Sequence, residues 1–250
     1  MSALECVQAL AQPVGDTGGK FMLHPETIGS CKDFGYPNGF AYYVVGRGGV
    51  LGDVDADIIS AAFGPFSPSL VRLMWEAGIG VEGAKAGAQR FAEACASYGR
   101  KRLVDVDGLD RFIELGERVV DAVPLSGNSL FVGWKKMPRP TDSAGGAYFL
   151  LHLLREWRGS AHIMATAASG LTPVESILTR YLDSGDGEQI ATKFGWQSPF
   201  PDVKHLVEVR VAAEHLTDLL QEPVYESALT AQERGEFSAS IESIVHLLTE

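Results

Sequence analysis

The chain has 250 residues, 46% hydrophobic and 21% charged, which allows one large domain or two small ones with a real core. Its formal net charge of −11 disfavours general attraction to nucleic acid or anionic lipid, no apolar stretch approaches the length that crosses a bilayer, and no basic, apolar leader stands at its start. Cys6, Cys31 and Cys95 are odd in number and far apart with no CxxC spacing, which predicts reduced thiols in a cytoplasm rather than a disulfide framework or a zinc site.

Helix signals run through the chain. His24-Pro25-Glu26 and Ser67-Pro68 place proline where a first helical turn tolerates it. Helical patterns follow over 82–102, 109–123, 142–169, 204–221 and 231–249. Thr172-Pro173-Val174-Glu175 and Thr230-Ala231-Gln232-Glu233 read as capping boxes. Two short runs, 40–45 and 130–132, look strand-like but are short enough to be buried helix ends. The expected fold is mainly α. A proline- and glycine-rich stretch, 124–146, separates a helical half, 1–123, from a second, 147–250. Phe131 and Trp134 should pin this connector to the body, and 183–202 reads as irregular.

The stretch FAYYVVGRGGVLGDVDAD, from Phe40 to Asp57, invites two ligand readings. A dinucleotide loop fails because the third glycine position holds Leu51, and Asp53, Asp55 and Asp57 would repel a pyrophosphate. A calcium loop fails because its sixth position is Ile58 and its twelfth Gly64. The better expectation is a glycine turn followed by acidic residues stabilising a helix over 55–63. Arg47 alone has no structural explanation at this level.

The helix over 142–169 carries the most chemistry. At 100° per residue, Tyr148, His152, Arg155, Gly159 and His162 fall within about 80° of one another. Thr166 extends that line and Glu156 flanks it, opposite a core face of Leu150, Leu153, Leu154, Trp157, Ala161, Met164 and Ala168. A solvated face or a plain helix contact is the alternative to a site. A glycine inside a helix costs about 1 kcal/mol relative to alanine, so Gly159 is read as making room for a ligand or another backbone. His152 and His162 lie too far apart along the helix to share a metal, and none is expected. The functional version is a small polar or anionic ligand bound by Arg47, Tyr148, His152, Arg155, Arg158 and Gly159. His162 or Glu156 would serve as acid or base if the pocket is catalytic. No cofactor follows from these residues, and a homo-oligomer stays open.

The blocks "GFAYYVVGRGGVLGDVDADIISAAFGPFSPSLVR", "MPRP", "LLREWRGSAHI", "GLTPVESIL" and "FGWQSPFP" together resemble an actinobacterial family labelled helix-turn-helix or EvbL-like. The likeness runs from about Phe21 through the final helix. Relatives typically have histidine where this chain has Trp157. The label implies transcriptional regulation and a helix-turn-helix-like C-terminal part. The residues oppose DNA contact: from Pro201 to Glu250 three basic side chains face ten acidic ones, a balance of −7.

Overall fold

The computed structural model describes residues 1–248, and among these the chain forms α-helices, short 3-10 turns and no strand. In order they are α1 (Ala3–Thr17), α2 (Pro25–Gly29), α3 (Gly39–Gly48), α4 (Ala56–Phe63), α5 (Pro68–Arg102) and α6 (Leu109–Ala122). There follow α7 (Ser129–Lys135), α8 (Ser143–Ala168), α9 (Pro173–Arg180), α10 (Gly187–Lys193), α11 (Val207–Ala228) and α12 (Ala231–Leu247). The mainly α expectation holds. The two strand-like runs lie in α3 and α7, where most of their β-branched and aromatic residues serve burial rather than a sheet. The final helix is expected to reach Thr249, which lies outside the described residues.

Local chemistry sets the helix starts. Ser67, Asp142, Thr172 and Thr230 each accept a backbone N–H in the first turn, and the last two complete capping boxes with Glu175 and Glu233. The aspartates after the glycine turn all have structural partners. Asp55 caps α4, and Asp57 pairs with Arg72. Asp53 accepts the Ala84 N–H at 3.1 Å, where α5 kinks at Gly83 with a φ of 79°. It thus caps the second limb of α5, and that limb is the pattern legible from residue 82.

Helix α8 is the axis of the fold, with α1, α5, α6, α7 and α11 packed around it. Its burial is wider than one core stripe: Tyr148 and His152 are as fully enclosed as Leu150 and Leu153. The expected core face is right for most of its length, but its last positions, Met164 and Ala168, are exposed where neighbouring helices no longer cover them. Phe131 and Trp134 of the connector are completely buried, and Trp134 donates its indole N–H to the Arg47 carbonyl at 3.2 Å. Of the basic side chains beside them, Lys135 pairs with Asp121 and Arg139 with Glu117.

One continuous apolar core draws on residues from Ala3 to Leu248. A second, smaller cluster lies under α9 and α10, around Ile177, Leu178, Ala191 and Val203. The segment read as irregular, 183–202, therefore contains α10. It is fastened to the body by Phe194, which stacks on Phe66 at 4.3 Å, and by Trp196, which donates to the Pro65 carbonyl at 2.8 Å. No helix among the described residues is long and apolar enough to cross a membrane.

Candidate functional site

Two segments meet on one side of α8. The first is α3, whose start Asn38 caps and whose later turns carry Tyr43 and Arg47 inward one turn apart. The second is the turn after α1, residues 17–24. That turn lies flat on α8 because Gly18 has no side chain: a Cβ there would sit 2.6 Å from both the Leu151 carbonyl oxygen and the Arg155 Cβ.

Arg47 and Glu156 form the centre. The Arg47 Nε and Nη2 donate to the two carboxylate oxygens at 3.0 Å each, and Nη1 donates to the Tyr43 hydroxyl at 3.0 Å. This fork-on-carboxylate geometry fixes both planes. Both side chains are buried, and the Arg47 guanidinium also lies 4.5 Å from the Phe63 ring centre. Burial alone would raise the Glu156 carboxyl, but Arg47, Arg155 and His152 outweigh it and hold the group far below the usual carboxylate range. Burial likewise works against the Arg47 charge, and Glu156 with Tyr43 more than restores it. Glu156 is thus a permanent anion with no contact to solvent.

Arg155 shares that anion. Its Nη1 donates to Glu156 Oε1 at 2.7 Å, while its side chain remains 25% exposed. Its Nε and Nη2 hydrogens have no protein acceptor among the described residues. Around it opens a surface cleft of about 510 Å³, lined by Asp16, Gly19, Lys20, Met22, Leu23 and Arg155 among others. Lys20 donates to the Leu248 carbonyl at 3.3 Å, and Asp16 pairs with Arg180 at 3.4 Å.

Tyr148 and His152 hold the wall of this cleft. The Tyr148 hydroxyl donates to the Thr17 carbonyl at 3.0 Å and accepts the Phe21 N–H at 3.2 Å. His152 Nδ1 contacts the Gly18 carbonyl at 3.1 Å, which requires the proton on Nδ1 and leaves Nε2 a buried acceptor without a partner, 3.9 Å from Glu156 Oε1. Burial between Phe21 and Trp134 pushes His152 down to about 4, so it is neutral at ordinary pH.

The remaining residues of the stripe, and Arg158 beside them, belong to another neighbourhood. Arg158 reaches Asp218 at 3.1 Å and Glu214 at 3.6 Å on α11. His162 Nδ1 lies 3.4 Å from the Thr217 hydroxyl, and burial pushes this imidazole too down to about 4, against the opposing charge of Glu214. The two groups expected to move protons, Glu156 and His162, are therefore not brought together: one is sealed beside Arg47, the other faces α11. Gly159 meets nothing within 4 Å of a notional Cβ, so no other part of the chain approaches it there. Trp157 is a core residue, its ring centre 5.5 Å from that of Tyr225.

Sequence reading missed Tyr43, Gly18, Gly19 and Lys20. The signal was present as Thr17-Gly18-Gly19-Lys20, a helix stop followed by a lysine, but the glycines gave no hint that α8 lay beneath them. Comparison with known families decides the relationship of the whole chain, since the model of a helix-turn-helix family matches residues 8–250. The chain belongs to that helix-turn-helix family. No curated protein and no solved structure matches it.

Proposed function

We propose that this helix-turn-helix family member binds a small anionic ligand in the cleft between the 17–24 turn and α8, with Arg155 as the principal contact. One observation carries the reading: two guanidiniums, Arg47 and Arg155, share the single carboxylate of Glu156. With His152 neutral, the cluster keeps one uncompensated positive charge, and it appears at the exposed edge of Arg155. A ligand anion completes the neutralisation, with Lys20 beside it. In this reading Arg47 and Glu156 aim Arg155, and Tyr148 and His152 hold the opposite wall. Arg158, Gly159 and His162 have no part in the cleft.

Native mass spectrometry of protein purified into volatile buffer tests this. The expected result is a small co-purifying mass that Arg155→Gln removes. A clean apo mass in independent preparations, with no gain in heat stability from acetate, octanoate or phosphate, overturns the reading.

Family membership favours a second reading, contact with DNA through α9 and α10, two short helices joined by a turn. The exposed positions of α10 are Glu188, Gln189, Thr192 and Lys193. Across residues 173–206 three basic side chains (Arg180, Lys193, Lys204) stand against five acidic ones (Glu175, Asp183, Asp186, Glu188, Asp202), a poor surface for phosphates. Salt-sensitive retardation of duplex DNA, lost in Lys193→Glu, is the outcome that supports this reading. No retardation at low ionic strength removes it.

A further inference from the structure

We infer that the ligand of this cleft is a carboxylate on an apolar body, rather than a phosphate or other inorganic oxyanion. The inference rests on the anion reading above and adds the chemical class.

The backbone of the cleft wall argues against phosphate. Sites that hold phosphate usually turn several free amide N–H groups toward it, from a nest or a helix N-terminus. Here most of those groups are engaged within the protein. The N–H groups of Lys20, Met22 and His24 donate to the carbonyls of Thr17, Gly19 and Phe21, and that of Phe21 donates to the Tyr148 hydroxyl. The start of α2, which Pro25 brings to the rim, has no N–H at Pro25, and its Glu26 N–H is taken by His24 Nδ1. Gly15 and Asp16, from the last turn of α1, form another wall, and that is the end of a helix where backbone dipoles disfavour concentrated negative charge.

What remains for an anion is mainly the unengaged edge of one guanidinium and a neighbouring ammonium, with the N–H groups of Gly19 and Leu23 in the same lining. A planar two-oxygen group matches that edge, because Nε and Nη2 present parallel hydrogens just as Arg47 presents them to Glu156. Asp16 and His24 add polar atoms to the lining, and the other side chains there are apolar. Met22, Leu23 and Pro25 face the cleft, and Leu23 is left 47% exposed beside the cations. The absence of a side chain at Gly19 brings the Met22 methyl and the Arg155 Nε together, since a Cβ there would lie 2.6 Å from the first and 3.2 Å from the second. A ligand with its carboxylate on Arg155 therefore lays its adjoining carbons on Met22 and Leu23.

Calorimetric titration of the full chain with sodium octanoate, sodium acetate and sodium phosphate at equal ionic strength tests this. Octanoate is expected to bind at least tenfold more tightly than acetate or phosphate, about 1.4 kcal/mol and the worth of roughly two buried methylenes. Arg155→Gln should abolish octanoate binding, and Leu23→Ser should remove most of the advantage over acetate while leaving acetate binding unchanged. Phosphate binding as tightly as octanoate, or octanoate binding that survives Arg155→Gln, overturns the inference; the first of these leaves the anion reading standing. If none of the three binds, the anion reading itself fails.

Discussion

Arg47 and Glu156 stand 109 positions apart in the chain and meet through two hydrogen bonds of 3.0 Å inside the core. Removing one partner of such a pair leaves an unmatched charge in a low dielectric, which costs about 3–5 kcal/mol. Arg47→Met is therefore expected to lower stability by that amount, measured as the loss in urea unfolding free energy by circular dichroism. Glu156→Leu should be at least as damaging, because Arg47 and Arg155 then face each other without a counterion. The double variant Arg47→Met/Glu156→Leu should recover part of the loss. A cost under about 1 kcal/mol for either single change would mean that water already reaches the pair.

Two buried histidines make stability depend on pH. His152 packs against Gly18, Glu156, Arg155 and Arg47, while His162 faces Thr217, Glu214, Arg210, Arg158 and Arg180. Burial lowers both from the ordinary 6.5 to about 4. As pH falls through 6.5 the unfolded chain takes up these protons and the folded chain does not, until about 4. The folded state thus has the full benefit above 6.5 and loses it between 6.5 and 4, by roughly 3 kcal/mol for His152 alone. Unfolding free energies measured from pH 7.5 to 4 should fall across that window, and His152→Gln should flatten the fall. A profile equally steep in the variant would assign the loss to other groups.

Two glycines, Gly18 and Gly159, should respond in opposite ways to alanine. At Gly18 the added methyl meets the Leu151 carbonyl and the Arg155 Cβ at 2.6 Å, so the 17–24 turn must lift. Overpacking of this kind costs about 1–3 kcal/mol and here also disturbs the wall of the cleft. At Gly159 the methyl meets nothing, and the helix gains the propensity of alanine, up to about 1 kcal/mol. Thermal unfolding should place Gly18→Ala below the parent protein and Gly159→Ala at or above it. Anion binding should be unchanged in Gly159→Ala; a weakened affinity would restore the ligand role that its position in the sequence had implied.

The helices were legible because their signals are local. Caps at Ser67, Thr172 and Thr230 sit within three residues of what they bind, and the apolar face of α8 repeats at helical spacing. The site was half legible for the same reason. A shared face grouped Tyr148, His152 and Arg155, which all meet the 17–24 turn or its cleft, with Gly159 and His162, which do not, because angle around one helix does not say which neighbour covers each turn. Arg47 stood out as a charge with no local partner, but its partner could not be named from spacing. That contact and the position of Lys20 depend on how α1 and α3 dock, which is tertiary information. The seven-residue α10 was lost in a glycine- and proline-rich segment since its stability comes from packing on Ile177 and Leu178, not from its own sequence.

The aspartates that opened like a calcium loop provide a last test, because each now has a distinct structural partner. Asp53 caps the second limb of α5 at a kink where Gly83 leaves the Ala84 N–H without a helical acceptor. Its replacement by alanine should cost about 0.5–2 kcal/mol, as other cap losses do. Asp57 makes only an exposed pair with Arg72, so Asp57→Ala should change stability by less than about 1 kcal/mol. Asp55 caps α4, and Asp55→Ala is expected in the same range as Asp53→Ala. Urea unfolding of the three variants with and without millimolar calcium separates these capping roles from a cation site. The ranking of the three variants should persist unchanged when calcium is added. Calcium-dependent stabilisation of the parent protein that all three alanine variants lose would show instead that the carboxylates act together on an ion.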